Sequence, residues 1–195
     1  MIEDRRLGWD AGSWTNPPAR IRESGTDLRV TASEGSDAWR ETAYGFTFDT
    51  ENSLLAPFMR ETAMEVEFTA AATVQFDQAG IFLRAAPDHW VKAGVEFADG
   101  QLQAGAVVTD PKSDWSSSPH HHWSGKRTVV RASWSGDALT IRAGLYGMPL
   151  ELLRVAPFSP AGPVAAGPYA ASPSSKQFEV AFHSWKITGA DSSLH

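Results

Sequence analysis

Gln78-Ala79-Gly80-Ile81-Phe82-Leu83-Arg84 and Trp90-Val91-Lys92-Ala93-Gly94-Val95-Glu96-Phe97 are the two stretches that decide the fold. Apolar residues fall on one parity: Ala79, Ile81 and Leu83 in the first, Val91, Ala93, Val95 and Phe97 in the second. Gln78, Gly80, Phe82 and Arg84, and Trp90, Lys92, Gly94 and Glu96, fall on the other. A period of two is the signature of strands, whose side chains alternate between faces. Ala86-Pro87-Asp88 between them is a turn signal, so the two read as antiparallel neighbours in one sheet. The apolar parity must face a core. The other parity then shares one outward face, gathering Gln78, Arg84, Lys92 and Glu96 into a surface patch. Gly80 and Gly94 would form a floor where a ligand lies against the backbone.

Working outward, the same period recurs along the chain. Met64-Glu65-Val66-Glu67-Phe68-Thr69 alternates with Met64, Val66 and Phe68 inward, and Leu28–Ala32 is a short strand. Residues 102–109 extend the first meander across Asp99-Gly100. Residues 127–134, 138–145 and 150–154 form a second meander, and Gln177–Phe182 closes the chain. Helical periodicity is nearly absent. The expected fold is all-β: an antiparallel two-sheet sandwich of jelly-roll type with about a dozen strands, forming a single domain over 1–195 with its core at about 8–188. The Pro-, Gly-, Ser- and Ala-rich stretch Ala156–Ser175 reads as a long bracing loop, and Asp191–His195 as a frayed tail. Trp9, Trp14, Trp134 and Trp185 are assigned to core or edge packing.

The 195 residues carry a net charge of −6, which argues against nucleic-acid and membrane-surface partners. With no Cys there is no disulfide, thiolate nucleophile or Cys-bound zinc. The opening Met1-Ile2-Glu3-Asp4-Arg5-Arg6 lacks the apolar core of a secretory signal, and no long apolar run spans a membrane, so a cytoplasmic location is the expectation. No Gly-rich phosphate loop, nucleophile elbow or metal-ligand spacing is present, so neither cofactor nor metal is expected. His120-His121-His122 reads as an exposed loop.

Around the polar face lie segments in which Trp, Gln, Asp and Lys interleave with Gly. These are Asp37-Ala38-Trp39-Arg40 with Tyr44-Gly45-Phe46, Phe76-Asp77-Gln78-Ala79-Gly80, and Ser113-Asp114-Trp115-Ser116. Strands that only fill a core do not need them. Trp39, Trp90 and Trp115 are candidate stacking platforms at the rim. The candidate ligand-binding set is Trp39, Arg40, Tyr44, Asp77, Gln78, Lys92, Glu96, Asp114 and Trp115, with Glu96 and Asp114 as candidate catalytic acids. Asp77 lies on the core parity, which puts it beyond the strand end or on a bulge.

These segments, with Val107-Val108-Thr109 and Gly167-Pro168-Tyr169-Ala170-Ala171-Ser172-Pro173, resemble the regulation-of-enolase family over roughly residues 8–188. The resemblance implies a concanavalin A-like lectin/glucanase sandwich with one concave sheet. Three functions follow as expectations. The first is a lectin-like domain binding a carbohydrate or other polyhydroxylated ligand. The second is a glycoside hydrolase using Glu96 with a second carboxylate from Asp114 or Asp37, or from Asp77 through a bulge. The third is a protein-interaction module that regulates a metabolic enzyme. A Lys92 beside Glu96 is expected to lower the pKa of Glu96, which argues against a general acid. Binding is therefore the preferred reading.

Overall fold

A computed structural model of the chain describes residues 4–174 and 178–193. Ser175 and Gln177, at the ends of two expected segments, and the last two residues of the tail lie outside these. The strands, in chain order, are β1 (Arg5–Arg6), β2 (Ser13–Trp14), β3 (Arg20–Ser24), β4 (Asp27–Thr31), β5 (Ala38–Arg40), β6 (Thr47–Asp49), β7 (Asn52–Phe58), β8 (Thr62–Ala70) and β9 (Gln78–Ala86). They continue with β10 (His89–Ala98), β11 (Gln101–Thr109), β12 (Ser113–Pro119), β13 (Arg127–Ser135), β14 (Ala138–Leu145), β15 (Glu151–Pro157), β16 (Val164–Ala171) and β17 (Glu179–Gly189). An eight-stranded sheet runs β15-β14-β13-β8-β17-β4-β3 with β1 on β17, and a seven-stranded sheet runs β12-β11-β10-β9-β16-β7-β2. β5 and β6 form a separate two-stranded ribbon. All the strand pairings in these sheets are antiparallel. The fold is the expected all-β sandwich.

The core lies between the sheets and follows the sequence parity. Ile81, Leu83, Val91 and Val95 from one sheet meet Met64, Val66, Phe68, Val130 and Ile141 from the other, all essentially without solvent contact. Each such side chain stabilises the fold by about 1.5–3 kcal/mol. Phe97, expected among them, is half-buried and packs on the core's margin. Trp134 and Trp185 are buried, and Trp9 stacks on Trp185 at 6.3 Å between ring centroids.

Two expectations along the chain are corrected. Ala156–Ser175 is not a long loop: it holds the end of β15 and all of β16, a central strand between β9 and β7. Pro168 disguised it, because proline cannot donate to a ladder. The pairing of β16 with β7 lapses at Gly167 and Pro168, which lets the ring be tolerated there. Nor is Asp191 frayed: its carboxylate pairs with Arg131 at 2.8 Å and with Arg142, and its N–H donates to Ser133 Oγ. Glu65, on the outward parity of β8, joins this network through Arg131 and Lys186, and Glu67 on the same strand forms a separate pair with Arg127.

Gly80, Gly94 and Gly105 face one another across β9, β10 and β11. They are not a ligand floor. A Cβ on Gly80 would sit 2.0 Å from Ala93 O, and one on Gly94 2.1 Å from Ala79 O. The neighbouring backbone fills the space, so the glycines serve close strand approach. Gly94→Ala is therefore expected to cost about 2 kcal/mol of stability, within the overpacking range, and to lower Tm by about 4–8 °C. Thermal denaturation followed by circular dichroism checks this, and an unchanged Tm would refute it.

Candidate functional site

The register of β9 with β10 pairs Gln78 with Glu96 and sets Phe82 across from Lys92. Gln78, Lys92 and Glu96 therefore share the face that looks away from the core, as alternation predicts. That face is not solvated. Phe82 and Trp90 are fully buried there and join Ala38, Trp39, Leu55, Val107 and Tyr169 in a second hydrophobic cluster. Gln78 and Lys92 are only 2% and 4% exposed.

The cover is the β5–β6 ribbon and its loop. Arg40 N–H donates to Ser113 Oγ at 2.9 Å, the Arg40 guanidinium reaches Pro111 O at 3.3 Å, and Lys112 pairs with Glu41 at 2.7 Å. These contacts tie the ribbon to the β11–β12 connection. The loop turns through left-handed residues at Glu41, Ala43 and Gly45, with φ of 60°, 63° and 73°. Non-glycine residues adopt that conformation only where the surroundings enforce it. Here it carries a run of rings. Trp39 meets Tyr44 edge-on at 5.6 Å, Tyr44 stacks on Phe46 at 5.3 Å, and Phe46 meets Phe48 edge-on at 4.9 Å. Tyr44, Phe46 and Phe48 stay 55%, 40% and 38% exposed.

Between ribbon and sheet lies a cleft of about 300 Å³ lined by Asp37, Trp39, Tyr44, Phe46, Phe48, Phe76, Gln78, Lys92, Glu96, Val107, Trp115 and Pro173. That volume is at the lower end of small-molecule sites, about 300–1,000 Å³, and suits one ring-sized unit. Phe76 stands in the wall with a left-handed backbone, φ 68°. Its N–H donates to Phe97 O and its carbonyl accepts from Gln78 Nε2, so backbone pairing holds the strained residue in place.

The floor is a connected polar chain. Tyr169 Oη donates to Gln78 Oε1 at 3.4 Å, and Gln78 Nε2 donates to Asp37 Oδ1 at 3.2 Å. Lys92 Nζ donates to the same oxygen at 3.1 Å, as does Ala38 N at 2.8 Å. Burial, then Glu96, Asp37 and Glu51, hold the Tyr169 hydroxyl well above its ordinary range, so it stays a donor. Among the described residues Glu96 makes no hydrogen bond and no ion pair. Burial pushes its carboxyl up to about 7, opposed by Lys92 and reinforced by Asp37. Lys92 lowers it as expected, but the net shift is upward. Desolvation outweighs the lysine because Asp37 already takes up the ammonium, and the argument against Glu96 as an acid falls with it.

Of the candidate residues, the fold brings Trp39, Tyr44, Gln78, Lys92, Glu96 and Trp115 to one cleft. Arg40 points away, toward Pro111 and Asp49. Asp114 faces the other side of β12 from Trp115 and pairs with Arg154 at 2.6 Å. Asp77 lies just before β9, 3% exposed, where it accepts from Ser172 Oγ at 2.7 Å; it braces the turn. Trp90 is core, not platform, and Arg84 leaves the patch to pair with Glu51 at 2.9 Å. Of the three acids offered beside Glu96, Asp37 lines the cleft and Asp114 and Asp77 do not. Phe46, Phe48, Phe76, Val107 and Pro173 were not among the candidates. The period-two spacing of Tyr44, Phe46 and Phe48 is a signal that would have found the first two.

His120-His121-His122 is not uniformly exposed. His120 is buried, 4.2 Å from Trp123 between ring centroids and 3.2 Å from a Glu151 carboxylate oxygen. Among the described residues no group of three or more His, Asp or Glu is arranged for a metal ion, and no helix is long and apolar enough to cross a membrane.

The chain is 30% identical over 188 residues to Regulation of enolase protein 1 of Saccharomyces cerevisiae, covering 96% of this chain and 94% of that protein. A crystal structure of a functionally unknown protein from S. cerevisiae superposes with TM-score 0.88 at 29% identity, covering 95% of this chain and all (100%) of that one. The Bacteroides ovatus xyloglucan-locus enzyme GH43B shares the fold, with TM-score 0.73 at 14% identity, over 97% of this chain and 40% of that one. The likeness to the yeast protein and the match over residues 14–190 agree with the motif reading, and the chain belongs to the family described as "Protein of unknown function (DUF1349)".

Proposed function

We propose that the cleft binds a small polyhydroxylated ligand, a carbohydrate ring, and that the protein is a lectin-like binding domain. One observation carries this reading: flat rings wall a ring-sized cleft whose floor is a pre-ordered chain of hydrogen-bonding groups. A sugar offers apolar C–H faces to stack on rings and hydroxyls to meet Gln78, Asp37, Lys92 and Glu96. Because the floor groups already hold one another, little ordering entropy is lost on binding.

A glycan array, followed by titration of its hits against intrinsic tryptophan fluorescence, tests the reading. Trp115→Ala is expected to weaken a bound saccharide about thirtyfold, as loss of about 2 kcal/mol of stacking and burial implies. A panel without a single binder, or a Trp115→Ala protein that binds as tightly as the parent, would sink it.

A second reading is favoured by Glu96 itself. A carboxyl at about 7 beside the ionic Asp37–Lys92 pair has the contrast that acid–base pairs in glycosidases show. Glycan turnover abolished by Glu96→Gln, with binding retained, would make this an enzyme. Binding without turnover keeps the lectin-like reading.

A further inference from the structure

We propose that the sugar bound in this cleft is an amino sugar, its ring held between the aromatic walls and its ammonium against Glu96. This rests on the carbohydrate reading above. The charges around the cleft are otherwise matched. Lys92 is taken by Asp37 at 3.1 Å, and near the ribbon Lys112 pairs with Glu41 at 2.7 Å and Arg40 with Asp49 at 3.5 Å. Glu96 alone lines the cleft with no partner among the described residues. Hydroxyls of a neutral sugar can donate to it but leave its charge uncompensated where water is scarce. An ammonium meets the charge directly, with the short, strong hydrogen bonds of an ionic pair.

The walls select in the same sense. Trp39, Tyr44, Phe46, Phe48, Phe76 and Trp115 all contribute to the lining, and ring faces attract a cation most strongly where it is desolvated. A hydroxyl or an acetamide at the same carbon gains neither term. Binding also moves a proton. The groups facing Glu96 are Lys92 on its own strand, Asp37 at the start of the ribbon and Tyr169 on β16. Only Lys92 favours the ionised carboxylate, so the free carboxyl is partly protonated at neutral pH. An arriving ammonium expels that proton.

Three β-linked disaccharides that differ only in the group at carbon two provide the test: cellobiose with hydroxyl, chitobiose with ammonium and diacetylchitobiose with acetamide. Isothermal titration at pH 7, in two buffers of different ionisation heat, reads affinity and proton release together. Chitobiose is expected to bind about 10- to 100-fold more tightly than the other two, releasing a fraction of a proton. In Glu96→Gln, which keeps the shape of the carboxyl, proton release should vanish and most of the preference with it, whereas Trp115→Ala should weaken all three, chitobiose somewhat more than the others. Equal affinity for cellobiose and chitobiose, or a preference undiminished in Glu96→Gln, overturns the amino-sugar proposal and leaves the carbohydrate reading standing. Failure of all three to bind, with no other saccharide bound, overturns both.

Discussion

Glu96→Gln is expected to stabilise the protein by about 2–3 kcal/mol at pH 8 and to change it little at pH 4. Partial burial without a partner pushes the Glu96 carboxyl up to about 7 from an ordinary value of 4.5. Below about 4.5 both folded and unfolded chains hold the proton, and there is no penalty. Between 4.5 and 7 the unfolded chain releases it first, so stability falls as pH rises; above 7 the penalty is complete. A shift of this size corresponds to about 3 kcal/mol at about 1.4 per unit. Glutamine mimics the protonated acid and removes the titration. Urea denaturation of both proteins from pH 4 to 8 checks the claim. A parallel pair of stability curves would refute it. Some slope should persist in both, since burial also raises Glu51, opposed by Arg84. A residue whose removal strengthens the fold is one retained for something else, and a ligand is the simplest reason.

The second large effect concerns Lys92 and Asp37. Asp37→Asn is expected to cost about 3 kcal/mol, because it strands an ammonium that is only 4% exposed. The lower end of the range for broken buried pairs applies, as the Asp37 side chain is 17% exposed. Lys92→Met should cost less, since Asp37 keeps the N–H groups of Ala38 and Gln78. The double variant should recover most of the loss. A double-mutant cycle by urea denaturation measures this. Additive single losses would mean the pair is not a unit. Surface placement of Lys92, as the sequence suggested, would have made all three variants nearly neutral.

That contrast shows where the sequence could be read. Parity along Gln78–Arg84 and Trp90–Phe97 located the core face and put Gln78, Lys92 and Glu96 together, because alternation is a local property of extended chain. It could not reveal that the opposite face is roofed. The roof is the ribbon from Ala38 to Asp49, brought there by contacts of Arg40 with Pro111 and Ser113, some 70 residues away along the chain. The burial of Lys92 and the desolvation that outweighs it at Glu96 both follow from that one tertiary fact. The glycines misled for a different reason. A glycine in a strand signals close approach, but not whether a ligand or the next strand does the approaching. Asp114 and Trp115 were accepted together because they adjoin, although neighbours in a strand face opposite ways. Pro168 concealed a central strand because its ladder happens to lapse where its N–H is missing.

The cleft is made by two structures of different standing. Most of its floor, Gln78, Lys92, Glu96 and Tyr169, belongs to strands threaded through the seven-stranded sheet, where each change is also a change in the stability of the whole molecule. Most of its rings sit on a two-stranded ribbon whose ladder joins neither large sheet. New residues at the exposed Tyr44, Phe46 and Phe48 can therefore be tried with little effect on the sandwich, whereas Ala38 and Trp39 are buried against it. If the cleft takes the proposed ligand, changes at Tyr44, Phe46 and Phe48 would retune what it accepts while the floor on β9 and β10 stays put, so one scaffold could serve different molecules.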